Sequence, residues 1–114
     1  MPNLRGVGRK AEDWAAEYLI GKGYTIVTRR HKTKRGELDI VALDGDVLVF
    51  VEVKSRRAPG YVPEESLSRS KLDSLRTAIG LYISEMEIHP KVIRLDLIAM
   101  DNDGIRHHKD ILAP

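Results

Sequence analysis

Residues 36–54 constrain the fold of this chain most, because they place charged side chains inside sequence that is otherwise typical of two β-strands. The segment contains Gly36-Glu37-Leu38-Asp39-Ile40, the turn-like Asp44-Gly45-Asp46, and Phe50-Val51-Glu52-Val53-Lys54. Ionisable groups between apolar strand residues are costly to bury unless they are paired or bound to a metal ion. The segment therefore predicts a hairpin whose charged groups share a structural or a chemical role.

The register of this hairpin decides whether its acids meet. Strands are predicted at 38–43 and 47–54, and alternation sorts their side chains into faces. On the first strand, one face carries Glu37, Asp39, Val41 and Leu43, and the other carries Leu38, Ile40 and Ala42. On the second strand, one face carries Leu48, Phe50, Glu52 and Lys54, and the other carries the valines. If Asp44 and Gly45 form a two-residue loop, Asp39 lies opposite Phe50 and diagonal to Glu52. A three-residue loop would separate Asp39 from Glu52, so we expect a loop with an even number of residues.

Two carboxylates on adjacent strands form an oxygen-rich site that suits Mg²⁺ or Mn²⁺. Asp39 and Glu52 would be ligands, and the backbone carbonyl of Val53 could be another. Such a metal polarises a scissile phosphate and lowers the pKa of a bound water, while Lys54 could orient that water or stabilise the pentavalent charge. The same side chains, with Glu37, could instead form a cross-strand ion-pair cluster without any chemistry.

A helix is predicted at 8–22 because apolar residues recur there with the spacing of one helix face. They are Ala11, Trp14, Ala15, Tyr18 and Leu19. On a helical wheel Glu12 falls at the rim of this apolar arc, whereas Asp13 and Glu17 point away from it. Glu12 is therefore the one acid of this helix that we expect to reach an internal site.

Basic residues flank the predicted hairpin on both sides. A strand is predicted at 24–28, and a densely basic stretch follows it. We interpret this stretch as a loop that contacts phosphates. It contains Arg29, Arg30, Lys32, Lys34 and Arg35. A solvated connection whose charges serve solubility explains this stretch equally well. The loop at 56–63, which contains Pro59 and Gly60, adds Arg56 and Arg57 beside the predicted centre.

The second half of the chain predicts a helix and two strands. Leu72, Leu75, Ile79, Tyr82 and Met86 repeat with helical spacing, and Ser68 or Ser70 is a suitable N-cap. Gly80 within this helix suggests close packing. Strands are predicted at 92–100 and 105–111 around a turn at 101–104. The order is then α-β-β-β-α-β-β, and a right-handed strand-helix-strand crossover gives a mixed sheet covered by helices, an α/β fold.

Composition narrows the class of protein. The 114 residues are most simply one domain, 1–114, and 42% hydrophobic with 32% charged residues is an ordinary globular balance. The absence of cysteine excludes disulfides, a thiol nucleophile and cysteine-based zinc sites. The four histidines lack a convincing metal-ligand set. No apolar run is long enough to span a bilayer and the N-terminus lacks a signal-peptide core, so we expect a cytoplasmic protein without a membrane partner.

At residues 36–39 and 50–56 the sequence resembles the YraN-like family of endonuclease-like proteins. That family is itself similar to the Holliday-junction resolvases of the PD-(D/E)xK superfamily. The resemblance covers nearly the whole chain and extends to Gly8-x-x-x-Glu12, to residues 63–65 and Lys71, and to Arg94-Leu95-Asp96. It implies a restriction-endonuclease-like fold with Asp39 and Glu52 as metal-binding acids, Lys54 as the catalytic lysine and Glu12 as the helix-borne acid of the resolvases.

The leading hypothesis is therefore an endonuclease that depends on Mg²⁺ or Mn²⁺ and acts on DNA rather than RNA, with branched or structured DNA as a candidate substrate. Glu12, Asp39, Glu52 and Lys54 would form its site, and Lys71 would join the basic residues that bind nucleic acid. A homodimer would suit branched DNA, because cutting a junction requires two symmetric incisions. The alternatives are a nucleic-acid-binding module that keeps the fold without cutting, and an interaction scaffold that binds no nucleic acid.

Overall fold

The computed structural model describes residues 9–56 and 60–112, which form two helices and five strands. The elements are α1 (Arg9–Gly21), β1 (Thr25–Thr33), β2 (Gly36–Asp44), β3 (Val47–Ser55), a short 3₁₀ helix (Pro63–Ser66), α2 (Arg69–Met86), β4 (Val92–Asp101) and β5 (Gly104–His108). The predicted α/β order, α-β-β-β-α-β-β, is confirmed. Neither described helix combines the length and the apolar character needed to cross a bilayer.

The five strands form one sheet in which spatial order follows chain order, β1-β2-β3-β4-β5. Strands β3 and β4 are parallel, and the other three neighbouring pairs are antiparallel. Two parallel neighbours need a long crossover between them, and here that crossover contains α2. The mixed sheet flanked by helices is compatible with the restriction-endonuclease-like arrangement that the resemblance implied.

The β2–β3 hairpin is buried on both faces, which explains its nearly continuous apolar sequence. On one face Ile40, Ala42, Val49 and Val51 pack with Ala11, Ala15 and Leu19 of α1, and Trp14 packs beside them. On the other face Val41, Leu48 and Phe50 pack with Leu75, Ile79 and Tyr82 of α2. The two cores hold the hairpin between the helices and fix the position of its far end, where the charged residues lie.

The turn between β2 and β3 has the predicted parity but lies one residue later than predicted. Asp44 pairs with Val47, so Gly45 and Asp46 form a two-residue loop, with Gly45 in the left-handed region at φ 60°. Val41 therefore lies opposite Phe50, and the prediction that Asp39 would lie there is wrong. The same register aligns Asp39 with Glu52 instead.

Three other expectations from the sequence are wrong. The basic stretch after residue 28 is not all loop, because β1 continues to Thr33 and leaves only residues 34 and 35 in the turn. The last strand ends at His108 rather than at residue 111. Gly80 is exposed, and a Cβ built on it meets nothing within 4 Å, so it does not mark close packing.

A buried charge cluster ties β4 to β5 and to the hairpin. Asp96 on β4 is fully buried and accepts hydrogen bonds from Arg94 Nε (2.8 Å) and from the Asp110 backbone N–H (3.0 Å), and it bonds to His107 Nε2 at 2.8 Å. Burial opposes ionisation of Asp96, but these hydrogen bonds outweigh it and lower its pKa. Arg94 also donates to Asp44 at the hairpin turn (3.1 Å), so the cluster spans three strands.

A second ion-pair cluster holds the connection between β3 and α2. Arg106 on β5 donates to both oxygens of Glu64, at 2.6 and 2.9 Å, and also to Asp101 at 2.8 and 3.1 Å. Glu64 lies in the 3₁₀ helix, and α2 begins soon after it, where the Ser68 hydroxyl caps the helix by accepting from the Lys71 backbone N–H. The start of α2 is therefore anchored to the sheet.

Because Gly80 is exposed within α2 and its Cβ position is open, we expect Gly80→Ala to stabilise the protein by about 1 kcal/mol. The matched change Gly45→Ala should destabilise it, since Gly45 has a left-handed backbone that L-residues adopt at a cost. Urea denaturation of both variants checks the pair. A destabilised Gly80→Ala variant would contradict the open environment of that position.

Arg106 also makes a prediction about acid stability. Its hydrogen bonds lower the pKa of Glu64 from 4.5 to about 2 and also lower the pKa of Asp101. The folded state thus binds protons less readily than the unfolded chain, so this stabilisation is present at neutral pH and is lost as pH falls from about 5 towards about 2. In urea denaturation, the stability difference between wild type and Arg106→Gln should shrink as pH is lowered. An equal difference at about pH 7 and about pH 3 would contradict the assignment.

Candidate metal centre

Asp39 lies where β2 and β3 stop pairing through their backbones. Their described register ends with Ile40 opposite Val51, one residue before Asp39 and Glu52. From there the Asp39 side chain takes over, since its Oδ2 accepts a hydrogen bond from the Val53 backbone N–H at 2.9 Å. A carboxylate thus occupies the gap between the strand ends, where a backbone carbonyl would otherwise pair.

The alternation of β2 is interrupted at the same point. Leu38 and Val41, three residues apart, pack in the same core under α2, although strict alternation would place them on opposite faces. The prediction that Leu38 shares a face with Ile40 is therefore wrong. Arg30 of β1 lies between the pairs Arg29–Ile40 and His31–Leu38, opposite Asp39, and its φ of 53° is left-handed. Matching irregularities in two strands turn Asp39 out of the regular ladder.

Asp39 and Glu52 are brought together, as the hairpin parity predicted. The hairpin register places Asp39 opposite Glu52, and the Glu52 charge acts on the Asp39 carboxyl group. Glu52 is only 3% exposed, so the two acids share a poorly hydrated site. Burial, and then the neighbouring Glu52 charge, raise the pKa of Asp39 from 3.8 to about 8. Without a metal ion, the Asp39 carboxyl group therefore favours its protonated form at neutral pH, and a bound cation would favour loss of that proton.

Two lysines approach the same oxygen of Glu52. Lys54 Nζ lies 3.5 Å from Glu52 Oε2, as expected for a lysine on the same face of β3. Lys71 Nζ, which comes from the first turn of α2, lies 3.4 Å from that oxygen. The other oxygen, Oε1, is buried without a hydrogen-bond partner among the described residues. The two lysines thus balance the charge of Glu52, while its Oε1 remains available to coordinate a cation.

Glu12 reaches the centre from α1 and brings Glu37 with it. One carboxylate oxygen from each of Glu12, Glu37 and Asp39 lies within 4.8 Å of the other two. Arg30 Nε is 3.6 Å from Glu12 and 4.0 Å from Glu37, so a guanidinium offsets part of this negative charge. Burial raises the pKa of Glu12, with Arg30 opposing the shift. Asp39 is the residue shared by this group and by the Glu52 pair.

The donor set fits a hard divalent cation. Asp39 and Glu52 offer carboxylate oxygens, and Glu52 Oε1 has no competing partner within the described part of the chain. The N–H and C=O of one strand residue point to the same neighbouring strand, so the bond from the Val53 N–H to Asp39 turns the Val53 carbonyl towards the site as well. Glu12 and Glu37 supply further oxygens on the other side of Asp39.

The structure divides the predicted nucleic-acid-binding residues into engaged and accessible ones. Arg29 is paired with Asp13 of α1, and Arg30 with Glu12 and Glu37. The exposed ones beside the β1–β2 turn are Lys32, Lys34 and Arg35. Arg56 is exposed after β3 and stacks over the Tyr61 ring at 5.1 Å. Arg57 lies outside the described residues.

A polar cleft of about 680 Å³ opens between the β1–β2 turn and the start of α2. Arg35 of the turn lines it together with residues of α2, which are Arg69, Ser70, Asp73, Ser74 and Thr77. Sequence reasoning did not single out Arg69 or assign Glu37 to the site. Glu37 could have been found from its spacing of two from Asp39, whereas Arg69 required knowing that the crossover returns α2 to the charged end of β3.

The comparisons with known proteins agree with the resemblance read from the sequence. A family model described as "Uncharacterised protein family UPF0102" matches residues 11–100, a range that includes all four predicted catalytic residues. A UPF0102 protein of Carboxydothermus hydrogenoformans is 37% identical over 96% of this chain and 98% of its own length. UPF0102 proteins of Persephonella marina and Chlorobium limicola are 38% and 42% identical, over 90% and 88% of this chain and 90% and 82% of their own lengths. This chain therefore belongs to the UPF0102 family, the YraN family of the sequence resemblance.

Proposed function

We propose that this protein is a divalent-metal-dependent endonuclease acting on DNA. The observation that carries the proposal is the juxtaposition of half-buried Asp39 with buried Glu52, with Lys54 beside Glu52. An ion-pair cluster alone would not require two carboxyl groups to lie together in a poorly hydrated site, because ionising both there costs free energy. Such an arrangement is typical of functional sites, where strain is retained for chemistry.

Mg²⁺ or Mn²⁺ would be held by Asp39, Glu52 and the Val53 carbonyl. Bound there, the ion would polarise the phosphoryl group and acidify a water molecule. The reaction is hydrolysis: the water oxygen forms a bond to phosphorus, one bridging P–O bond breaks, the water proton passes to solvent, and the leaving oxygen is protonated. The protein's task is to hold phosphate and water in line.

Each residue of the centre has a distinct task in this scheme. Asp39 is fixed by the Val53 N–H, so its second oxygen has a set direction towards the site. Lys54 provides a fixed positive charge within 3.5 Å of Glu52, suited to orienting water or to stabilising charge on the phosphoryl oxygens. Glu12, held by Arg30, adds negative charge and a hydrogen-bond acceptor for water on the α1 side.

DNA would approach over the accessible basic residues. Lys32, Lys34 and Arg35 can contact phosphates without breaking an ion pair within the described part of the chain, and exposed Arg56 follows the catalytic strand. Arg29 and Arg30 instead serve the acids that they contact. Branched DNA is the candidate substrate, and a homodimer would supply its two incisions. A cytoplasmic location agrees with such a substrate.

Incubation of the protein with branched, single-stranded and duplex DNA in Mg²⁺ or Mn²⁺ tests the proposal. We expect cleavage to fall by about 100-fold or more in Asp39→Ala and in Lys54→Ala, because each removes a group that acts on the reacting phosphate or water. Glu12→Gln should have a smaller effect. Gel analysis of end-labelled DNA measures all of these rates.

Glu17→Ala is the matched control, since Glu17 is exposed on α1 and forms no ion pair or side-chain hydrogen bond with a described residue. Equal cleavage by wild type, Asp39→Ala and Lys54→Ala would reveal a contaminating nuclease and contradict the proposal. Salt-sensitive DNA binding that survives Glu52→Ala, without cleavage or any metal requirement, would instead favour the non-cutting binding module.

Metal binding can be measured without DNA. Mn²⁺ at about 100 times its Kd should stabilise the wild-type protein by about 2.7 kcal/mol in thermal denaturation. Asp39→Asn should lose this stabilisation and should itself raise metal-free stability at neutral pH, because it removes a carboxyl group whose pKa is raised to about 8 on folding and which therefore destabilises the folded state. Glu17→Gln should change neither quantity. An undiminished Mn²⁺ effect in Asp39→Asn would show that the ion binds elsewhere.

A further inference from the structure

Lys71 is positioned as a second lysine of the candidate centre. Its Nζ lies 3.4 Å from Glu52 Oε2, at least as near as the 3.5 Å of Lys54, although the two lysines come from a helix and a strand. The first turn of α2 is held in place by the Ser68 cap and by the ties of the preceding 3₁₀ helix to Arg106. The approach of Lys71 to Glu52 is therefore built into the fold.

Two ammonium groups close to one carboxylate oxygen are electrostatically favourable only while no cation is bound. A cation held by Asp39 and Glu52 would add positive charge beside both lysines, and the three positive centres would repel one another in a site with little water. One lysine must then find another negative partner. Lys71 is the one able to leave, because its side chain is 39% exposed against 22% for Lys54, and it extends from a helix rather than from the catalytic strand.

A cleft of about 680 Å³ lies next to Lys71 along α2. Arg69 and Ser70, which precede Lys71, line it together with Arg35 of the β1–β2 turn. Asp73 also lines it, but Arg76 lies 3.6 Å from that carboxylate and offsets its charge. An open cleft lined by two arginines suits the phosphodiester backbone of a nucleic-acid strand.

We propose that Lys71 exchanges Glu52 for a substrate phosphate adjoining the scissile one, and that the bound strand continues from Lys71 into the cleft between Arg35 and Arg69. This proposal rests on the proposed nuclease function and adds the path of the substrate strand. Lys71 then couples the two ligands: it shields Glu52 until a cation binds, and it contacts DNA afterwards. Lys54 stays at the reacting phosphate.

The experiment compares Lys71→Ala, Lys71→Gln and Lys71→Arg with Lys91→Ala as the matched control. Lys91 is exposed and immediately precedes Val92, which pairs with Val47 at the end of β3 away from Glu52. Three quantities are measured for each variant: single-turnover cleavage in Mn²⁺, Mn²⁺ affinity by calorimetry without DNA, and binding of a fluorescein-labelled oligonucleotide by anisotropy in Ca²⁺. Thermal denaturation checks that each variant is folded.

We expect Lys71→Ala and Lys71→Gln to cleave at least about tenfold more slowly and to bind the oligonucleotide at least about threefold more weakly. Both should bind Mn²⁺ more tightly than wild type, because a competing ammonium has been removed from Glu52. A merely structural lysine would not tighten metal binding. Lys71→Arg should recover most of the DNA affinity, and Lys91→Ala should match wild type within about twofold.

Cleavage and DNA binding by Lys71→Gln within about twofold of wild type would overturn the proposal. So would weaker Mn²⁺ binding, which would mean that Lys71 only supports the shape of the site. If wild type cleaves no DNA, the nuclease function fails separately, and the affinities still decide the role of Lys71. Tighter Mn²⁺ binding together with weaker oligonucleotide binding supports the exchange, and any other combination contradicts it.

Discussion

The organisation of this protein depends on keeping two carboxylates, Asp39 and Glu52, close together at a poorly hydrated strand end. Water would stabilise both charges better than the protein does, so every neighbouring element has to compensate. The Val53 N–H satisfies one oxygen of Asp39, and two lysines balance one oxygen of Glu52. The carboxyl oxygens that these groups leave unsatisfied are ones that a hard cation would bind. The free energy needed to hold the two acids together is thus linked to the chemistry proposed for the site.

The fold distributes this compensation over elements that are far apart in sequence. The β2–β3 hairpin supplies the acids, α1 supplies Glu12, β1 supplies Arg30, and the crossover returns α2 with Lys71. Rigid ties on the β4 and β5 side hold the frame: Asp96 with Arg94 on β4, and Arg106 with the start of the crossover. These ties lie outside the candidate centre, so the frame of the sheet does not depend on the charged groups of the centre alone.

The sequence predicted much of this arrangement because two signals were local. Alternation and the Asp-Gly turn gave the parity that brings Asp39 to Glu52, and helical spacing singled out Glu12 at the rim of its apolar arc. What could not be predicted depended on tertiary contacts. Periodicity cannot show that the alternation of side chains in β2 is interrupted between Leu38 and Val41. Nor can it show that Arg30, with a left-handed backbone conformation, lies opposite Asp39. Charge density alone likewise cannot distinguish an arginine in an ion pair from an accessible one. For this reason the sequence predicts a phosphate contact for Arg29.

The basic residues of β1 have a further consequence, because β1 is an edge of the sheet. An exposed edge offers unpaired backbone groups to the strand of another molecule and so invites sheet extension and fibre growth. Here the edge carries Arg29, Arg30 and Lys32, its register shifts between Ile26 and Thr28, and its backbone turns left-handed at Arg30. Like charges and a distorted edge make a poor template for a second chain. The irregularity that serves the carboxylates therefore also protects the molecule against edge-to-edge aggregation.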